Sequence, residues 1–412
     1  MVVSRFHGDQ KRMNRREYLQ VMAGLAAMAV SPGEGGGASE VPRENRALAR
    51  GPQMPVVLAG VGRGASEQAL KAAVRAGVEA ATDFAWLSKG DAVFIKPALN
   101  SGKPYPATTS PIAIGAMVEL LKDKGAGRVL VGDMAGILHV KLSRNGLSGS
   151  SRRLMEASGM ARAAQAAGAE LHFFEEAGWD AFYEDLPVAG SHWQRGVMMP
   201  KILQEVDHII LMPRCARHSL AGSTLGLKAA VGYWRTDTRL EYHRDAITFQ
   251  EKTAEGNTVD TLRRKLRLAL SAAERILATF GPDDGQVIEP ETGLVIASES
   301  VVAHDMVSLA WLLENRRSGL PAEVGALDDP YRSQLFVSIG NHWVVNKLDG
   351  LGSALASERL TRNDINTIWD DRVLHRAFEV LGGVPLVTLA SANTALPEAL
   401  KQRLGEMTTR AL

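Results

Sequence analysis

The 412-residue chain has one cysteine, Cys215. It can form no intrachain disulfide, no cysteine-rich zinc site and no cysteine-ligated iron–sulfur cluster, since each needs several thiolates. A surplus of one charge is missing as well: 47 basic residues stand against 46 acidic ones, leaving a formal net charge of +1. That balance excludes a general nucleic-acid or membrane-surface binder that works through excess charge. Aromatic residues make up only 6%, too few for broad base-stacking platforms. What is present is a 45% hydrophobic composition, ordinary for a globular chain, in a length that suits two domains.

The N-terminus reads as an address label. Residues 11–30 are KRMNRREYLQVMAGLAAMAV, with Lys11, Arg12, Arg15 and Arg16 ahead of an apolar run at 21–30. That run is shorter than the ~20 residues a membrane-spanning helix needs. A basic region, a short apolar core and the small-residue exit SPGEGGGAS form the layout of a secretory signal. Arg15 and Arg16 in NRREYLQ resemble a twin-arginine signal. The resemblance implies the twin-arginine export machinery as a partner, folding before export, and a periplasmic or extracytoplasmic location. Residues 1–50 are therefore set apart as export signal and glycine-rich linker, and no membrane span is expected in the mature protein.

Beyond residue 50 the pattern alternates between strand and helix. Residues 66–82 carry a serine cap and apolar positions at helical spacing. DAVFI (91–95) reads as a buried strand ending at Lys96. Ser110-Pro111 marks a helix start, and that helix ends at Gly125. RVLV (128–131) is a strand ending at Gly132-Asp133. A helix is predicted over 151–167, a strand over 170–174 and another over 207–212. Further on, the spacing of Leu262, Leu266 and Leu270 predicts a helix over 258–279, followed by a strand at 293–297, a helix at 304–314 and a last helix near 396–405. The expectation is an α/β fold, its mainly parallel sheet flanked by helices. Two lobes are expected: 51–245 with the site motifs, and 246–412, with a cleft at the C-terminal edge of the strands.

Three predicted strands end in polar groups: Lys96, Asp133, and Arg214 with His218. Strand C-termini of a parallel sheet share one edge, where such folds build ligand sites. Thr108, Thr109 and Ser110 precede a helix N-terminus, which favours an anion. Lys96, Thr108, Thr109, Ser110, Asp133 and Arg214 are thus candidate anion-binding residues for a small anionic molecule. His218 suits acid/base work. Lys228 lies in the uncharged run LGLKAAVG, where desolvation lowers a lysine pKa and frees the amine as anchor or nucleophile. His243, in RLEYHRD, is a candidate metal ligand. GSTLGLK has the wrong spacing for a phosphate loop, so an ATPase is rejected.

The ordered segments IKPALN, ATTSP, ELLKDKGAGRVLVGD, MPRCARHSLAGSTLGLKAAVG and GLVIASESVVAHDMVSLAWL resemble the bacterial and archaeal family called domain of unknown function 362, over about residues 90–316. The family also shares an aspartate in a late strand–helix unit, here Asp305. Many relatives carry a ferredoxin-type cluster segment that this chain lacks, and the usual asparagine after the lysine is Ala229 here. A fainter similarity is to nickel-pincer lactate racemases. There a catalytic histidine precedes the lysine that anchors the pincer nucleotide, and a nickel-binding histidine follows. Here His218 lies ten residues before Lys228, and His243 fifteen after it.

The signal, the strand-end residues and these resemblances together point to an exported enzyme acting on a small anionic substrate, with racemase- or epimerase-like proton transfer, implied by the second resemblance, as one form of it. The cofactor stays unknown; the second resemblance implies a metal or metal–nucleotide group. An exported binding protein without chemistry and a maturation factor for a co-exported enzyme are the alternatives.

Overall fold

The computed structural model describes residues 48–409, so the export signal falls outside the described residues. The protein is built on an eight-stranded sheet. Its strands in chain order are β1 (Arg50–Gly62), β2 (Ala92–Pro97), β3 (Arg128–Val131), β4 (Glu170–Leu171), β5 (His208–Met212), β6 (Leu266–Ala273), β7 (Thr292–Ser298) and β8 (Val384–Ser391). Their order across the sheet is β8-β1-β7-β6-β5-β2-β3-β4. All neighbouring pairs are parallel except those that β7 makes with β1 and β6. The fold is mixed α/β with a mainly parallel sheet, as the alternation predicts.

Both faces of the sheet are covered, and the strand period shows how. Val56, Leu58, Leu294 and Ile296 share an apolar cluster with Ala303, Met306, Val307 and Ala310 of the helix Val301–Gly319. Ala59 and Val295, which are register partners, point the other way, toward Gly77 of the helix Glu67–Ala81. Uninterrupted apolar strands follow from this two-sided cover. Ser66 caps the first helix, and Ser110 with Pro111 opens the helix Pro111–Asp123, both as expected.

The helix expected over 258–279 is a correction. Only Asp260–Lys265 is helical; the chain then becomes β6, parallel to β5 and antiparallel to β7. Leu266, Leu268 and Leu270 satisfy a period of two as well as Leu262, Leu266 and Leu270 satisfy a helical one. The need of β5 and β7 for a shared hydrogen-bonding partner decides between them. The helix predicted over 151–167 is likewise two helices, Ser151–Ala157 and Met160–Ala166, broken where Gly159 adopts φ 85°. The strand expected over 170–174 stops at Leu171, and Phe174–Ala177 is a 3₁₀ turn.

A two-lobed cleft divided after residue 245 is not shown. Strands from both sides of that residue interleave in one sheet, and the described residues lie within one compact unit. Among the described residues, no helix is long and apolar enough to cross a membrane.

Candidate functional site

β2, β3 and β5 are adjacent and parallel, so their C-termini bring Lys96, Asp133 and Arg214 to one edge. Lys96 Nζ lies 3.0 Å from Asp133 Oδ1, and both side chains are buried. Burial lowers the Lys96 pKa and raises that of Asp133, while their mutual attraction opposes both shifts. Asp133 also accepts from the backbone N–H groups of Leu99 and Met134. Lys96 donates to the Pro97 carbonyl and sits 5.3 Å from the centre of the Tyr233 ring. Gly232 allows this packing: a Cβ there would come within 2.2 Å of Asp133 Oδ1 and 2.4 Å of Lys96 Nζ.

The hydroxyls ahead of the helix at Pro111 are spent on the protein itself. Thr109 Oγ1 donates to the Met212 carbonyl at 2.6 Å and accepts from Ala98 N at 2.8 Å, tying the end of β5 to the end of β2. Thr108 donates to the Lys103 carbonyl. Ser110 accepts from Ala113 N as the helix cap. The geometry gives all three structural roles rather than the anion contacts expected of them.

Arg214 and Lys228 form a cationic cluster around the neutral imidazoles of His218 and His243 instead. Lys228, Arg214 and His243 are among the groups whose charge lowers the His218 pKa, after burial. Arg239 joins them. It lies on the buried face of the helix Thr236–Arg244, one turn before His243, and donates to the carbonyls of Ala135, Met134 and Gly232. Among the described residues no carboxylate makes an ion pair with Arg214, Lys228 or Arg239, although Asp283 attracts Arg214, and Asp133 and Glu175 attract Arg239. Arg214 donates to the Pro282 carbonyl at 2.5 Å, but its Nε and Nη2 are buried without partners, as are Arg239 Nε and the Tyr233 hydroxyl. Burial brings both guanidinium groups down to about 10, so they stay charged at neutral pH.

Lys228 sits in the short helix Gly226–Ala229. Asp305 holds that turn by accepting from Gly226 N at 2.8 Å and Leu227 N at 2.7 Å. His304 Nδ1 contacts Asp305 Oδ1 at 2.8 Å and its Nε2 contacts Ser271 on β6. Asp305 therefore positions Lys228 without touching it. Among the described residues the Lys228 ammonium makes no hydrogen bond or ion pair; it stands over the rings of Tyr242 and Phe249 at 5.5 and 5.9 Å. Burial first, then Arg239, Arg214 and Lys96, push its pKa from 10.5 down to about 7. It faces a crevice of about 10 Å³ lined in part by Ser223, Asp305 and Asp371. Burial lifts the Asp371 pKa to about 6 although two backbone N–H groups of its own helix donate to it.

The two histidines take opposite tautomers. His218 Nδ1 accepts from Leu220 N and Ala221 N, so the proton of the neutral ring is on Nε2. In this arrangement neutral His218 is a hydrogen-bond donor through Nε2, with its Nδ1 lone pair occupied. Asn341 Nδ2 donates to the His243 carbonyl, which turns Asn341 Oδ1 toward His243 Nδ1 at 2.8 Å. That leaves the Nε2 lone pair of His243 open. His243 is buried rather than exposed, and burial brings its pKa to about 3. Among the described residues no group of three or more His, Cys, Asp or Glu side chains could hold a metal ion. His243 offers one ligand amid cations, which does not make a metal site. A lysine-anchored metal–nucleotide group would find the right chemistry in Lys228 and His243, but the crevice beside Lys228, about 10 Å³, has room for about one water and must open to admit that group or any substrate.

Sequence reasoning missed Arg239, Tyr233 and Asp371. Arg239 had a signal in its i, i+4 spacing from His243; Asp371 opens a helix in a stretch whose elements the pattern left unplaced.

The family model described as "Domain of unknown function (DUF362)" matches residues 93–310. The chain belongs to this family. All of the cationic cluster lies inside the matched segment. A comparison with curated proteins finds no match. Among solved structures, the lactate racemase apoprotein from Thermoanaerobacterium thermosaccharolyticum is similar at 11% identity and a TM-score of 0.40, over 86% of each chain. A protein from Thermotoga maritima is similar at 14% identity and a TM-score of 0.39, covering 62% of this chain. The chain spans 60% of that protein's length.

Proposed function

We propose that this DUF362 protein is an exported enzyme acting on a small anionic molecule, with Lys228 as anchor or nucleophile and neutral His218 as a hydrogen-bond donor to the reacting group. One observation carries the reading. Arg214, Arg239 and Tyr233 keep buried donor atoms without protein partners, and Lys228 makes no hydrogen bond or ion pair among the described residues; Asp283 and Glu175, which attract the two arginines, leave those donors unsatisfied. Buried donors without acceptors are costly, about 1–3 kcal/mol each and more when charged. An anionic group supplies the acceptors and the opposite charge together.

The amine of Lys228 is half deprotonated near pH 7, which suits attack on a carbonyl carbon or a proton shuttle. Nε2–H of His218 suits donation to a developing oxyanion. Export rests on the basic–apolar–small pattern of residues 11–39. Replacing Arg15 and Arg16 with lysine should hold the protein in the cytoplasm; export unchanged by that replacement removes the twin-arginine reading.

The test of chemistry compares the anionic metabolites of a native-host extract before and after incubation with wild-type protein and with Lys228→Met. Depletion of one anion by the wild type alone supports an enzyme. Stoichiometric retention without conversion supports a binding protein. Elemental analysis of protein from the native host shows whether a metal travels with it.

A further inference from the structure

A second cationic cavity lies behind the hairpin that carries His218. Ala216–His218 is a strand paired with Gly222–Thr224, so neighbouring side chains leave it on opposite sides. While His218 faces the Lys228 cluster, Arg217 borders a separate half-open cavity of about 310 Å³. Arg217, Arg316, Tyr331, Arg332, Arg362 and Asn363 line it. None of these residues is used by the chemistry proposed above.

Four guanidinium groups meet there. Asp329, wholly buried, accepts from Arg217 at 3.1 Å and from Arg316 at 2.8 Å. Arg362 pairs with the exposed Asp364, and its Nε is buried without a hydrogen-bond partner. Arg332 is exposed and makes no ion pair among the described residues. Asp329, Asp364 and the more distant Asp371, which acts on Arg217 and Tyr331, stand against four guanidinium groups, so positive charge is in excess. The frame is rigid: Arg217 stacks on Tyr331 at 4.5 Å and donates to the Gly222 carbonyl, and the Tyr331 hydroxyl both accepts from Asn363 N and donates to Asn363 Oδ1. Gly222, at φ 83°, leaves the room this needs; a Cβ there would lie 2.6 Å from Ile365 and 3.0 Å from the Tyr331 ring.

We propose that this cavity is a binding site for the phosphate group of a small phosphate ester. The excess of positive charge suits a phosphate group. The planar forks of arginine match its oxygens pairwise. The volume exceeds what one phosphate fills and falls at the lower end of small-molecule sites, ~300–1,000 Å³, so part of the ester's organic portion is accommodated too. The site is distinct from the Lys228 cluster and stands whether or not that cluster is catalytic.

Titration calorimetry of the full chain with glycerol 3-phosphate, inorganic phosphate and citrate tests it. The wild type should bind the ester more tightly than free phosphate, and citrate weakly. Arg332→Gln and Arg362→Gln should each weaken ester binding about tenfold, the loss expected for one charge-assisted hydrogen bond. Lys228→Met should leave it within about twofold. Arg332 is exposed, so its variant folds even if the Arg362 variant does not. No binding of the ester, equal affinity in Arg332→Gln, or complete loss in Lys228→Met would each overturn the proposal; preference for free phosphate over the ester would reduce the site to one for inorganic anions.

Discussion

Replacing Lys228 with methionine should make the protein more stable at neutral pH. The amine titrates near 7 in the folded chain and near 10.5 when solvated. Below pH 7 folding forces a protonated ammonium into surroundings that disfavour it. At ~1.4 kcal/mol for each pH unit of difference, that penalty reaches ~5 kcal/mol; the partial exposure of the side chain reduces it to ~2–4 kcal/mol. The sign follows from linkage. Between pH 7 and 10.5 the unfolded chain binds a proton that the folded chain has released, so wild-type stability rises with pH across that window. Methionine has no such proton and nearly the same volume. Urea unfolding of both proteins at half-unit steps from pH 6 to 10.5 measures the difference directly, and other titrating groups largely cancel in it. The expected curve starts with the variant ahead by ~2–4 kcal/mol and converges as pH nears 10.5. A variant of equal or lower stability at pH 6–7, or a difference that does not change with pH, refutes the argument that Lys228 is an uncompensated buried cation.

The depressed His243 pKa of about 3 predicts an acid limb: as pH falls below ~6.5, the unfolded imidazole takes a proton that the folded one refuses. In urea titrations between pH 6 and 4.5, the pH slope of His243→Gln should be shallower than that of the wild type by ~1.4 kcal/mol per pH unit. Asp305→Ala leaves Gly226 N and Leu227 N without acceptors and should cost ~2–4 kcal/mol, lowering Tm by several degrees; an unchanged Tm would deny Asp305 its positioning role. Gly232→Ala pushes a methyl group into the Lys96–Asp133 pair. Chemical unfolding should report a loss of at least ~2 kcal/mol, and a neutral substitution would mean that the pair has slack.

The parts of the fold that sequence made legible are those where local signals agree. Ser110-Pro111 announces its helix because the cap and the missing proline N–H both serve a helix start. DAVFI reads as a strand because both of its faces are apolar. β6 was illegible because its leucines fit two periods and only neighbours distant in sequence decide between them. At the site, the strand-end rule brought Lys96, Asp133 and Arg214 to one edge. It could not tell that Thr109 spends its hydroxyl on Met212 O, nor that the Leu220 and Ala221 amides hold the lone pair of His218 Nδ1. Those depend on where a backbone atom lies, which residue type does not encode. The burial of His243 is illegible in the polar run RLEYHRD because it comes from the helix Gln334–Asp349, which supplies Asn341 from 98 residues away.

The central claim is that an anion is accepted beside Lys228. Its most direct measurement is the number of protons taken up when formate binds at pH 8, obtained from calorimetric enthalpies in two buffers of different ionisation enthalpy. A lysine with pKa about 7 is about nine-tenths neutral at that pH and is reprotonated by a neighbouring anion, so uptake should approach ~0.9 proton per chain. Arginines do not titrate there, so binding at the second cavity adds none. Formate binding without proton uptake, or uptake that persists in Lys228→Met, would contradict the account.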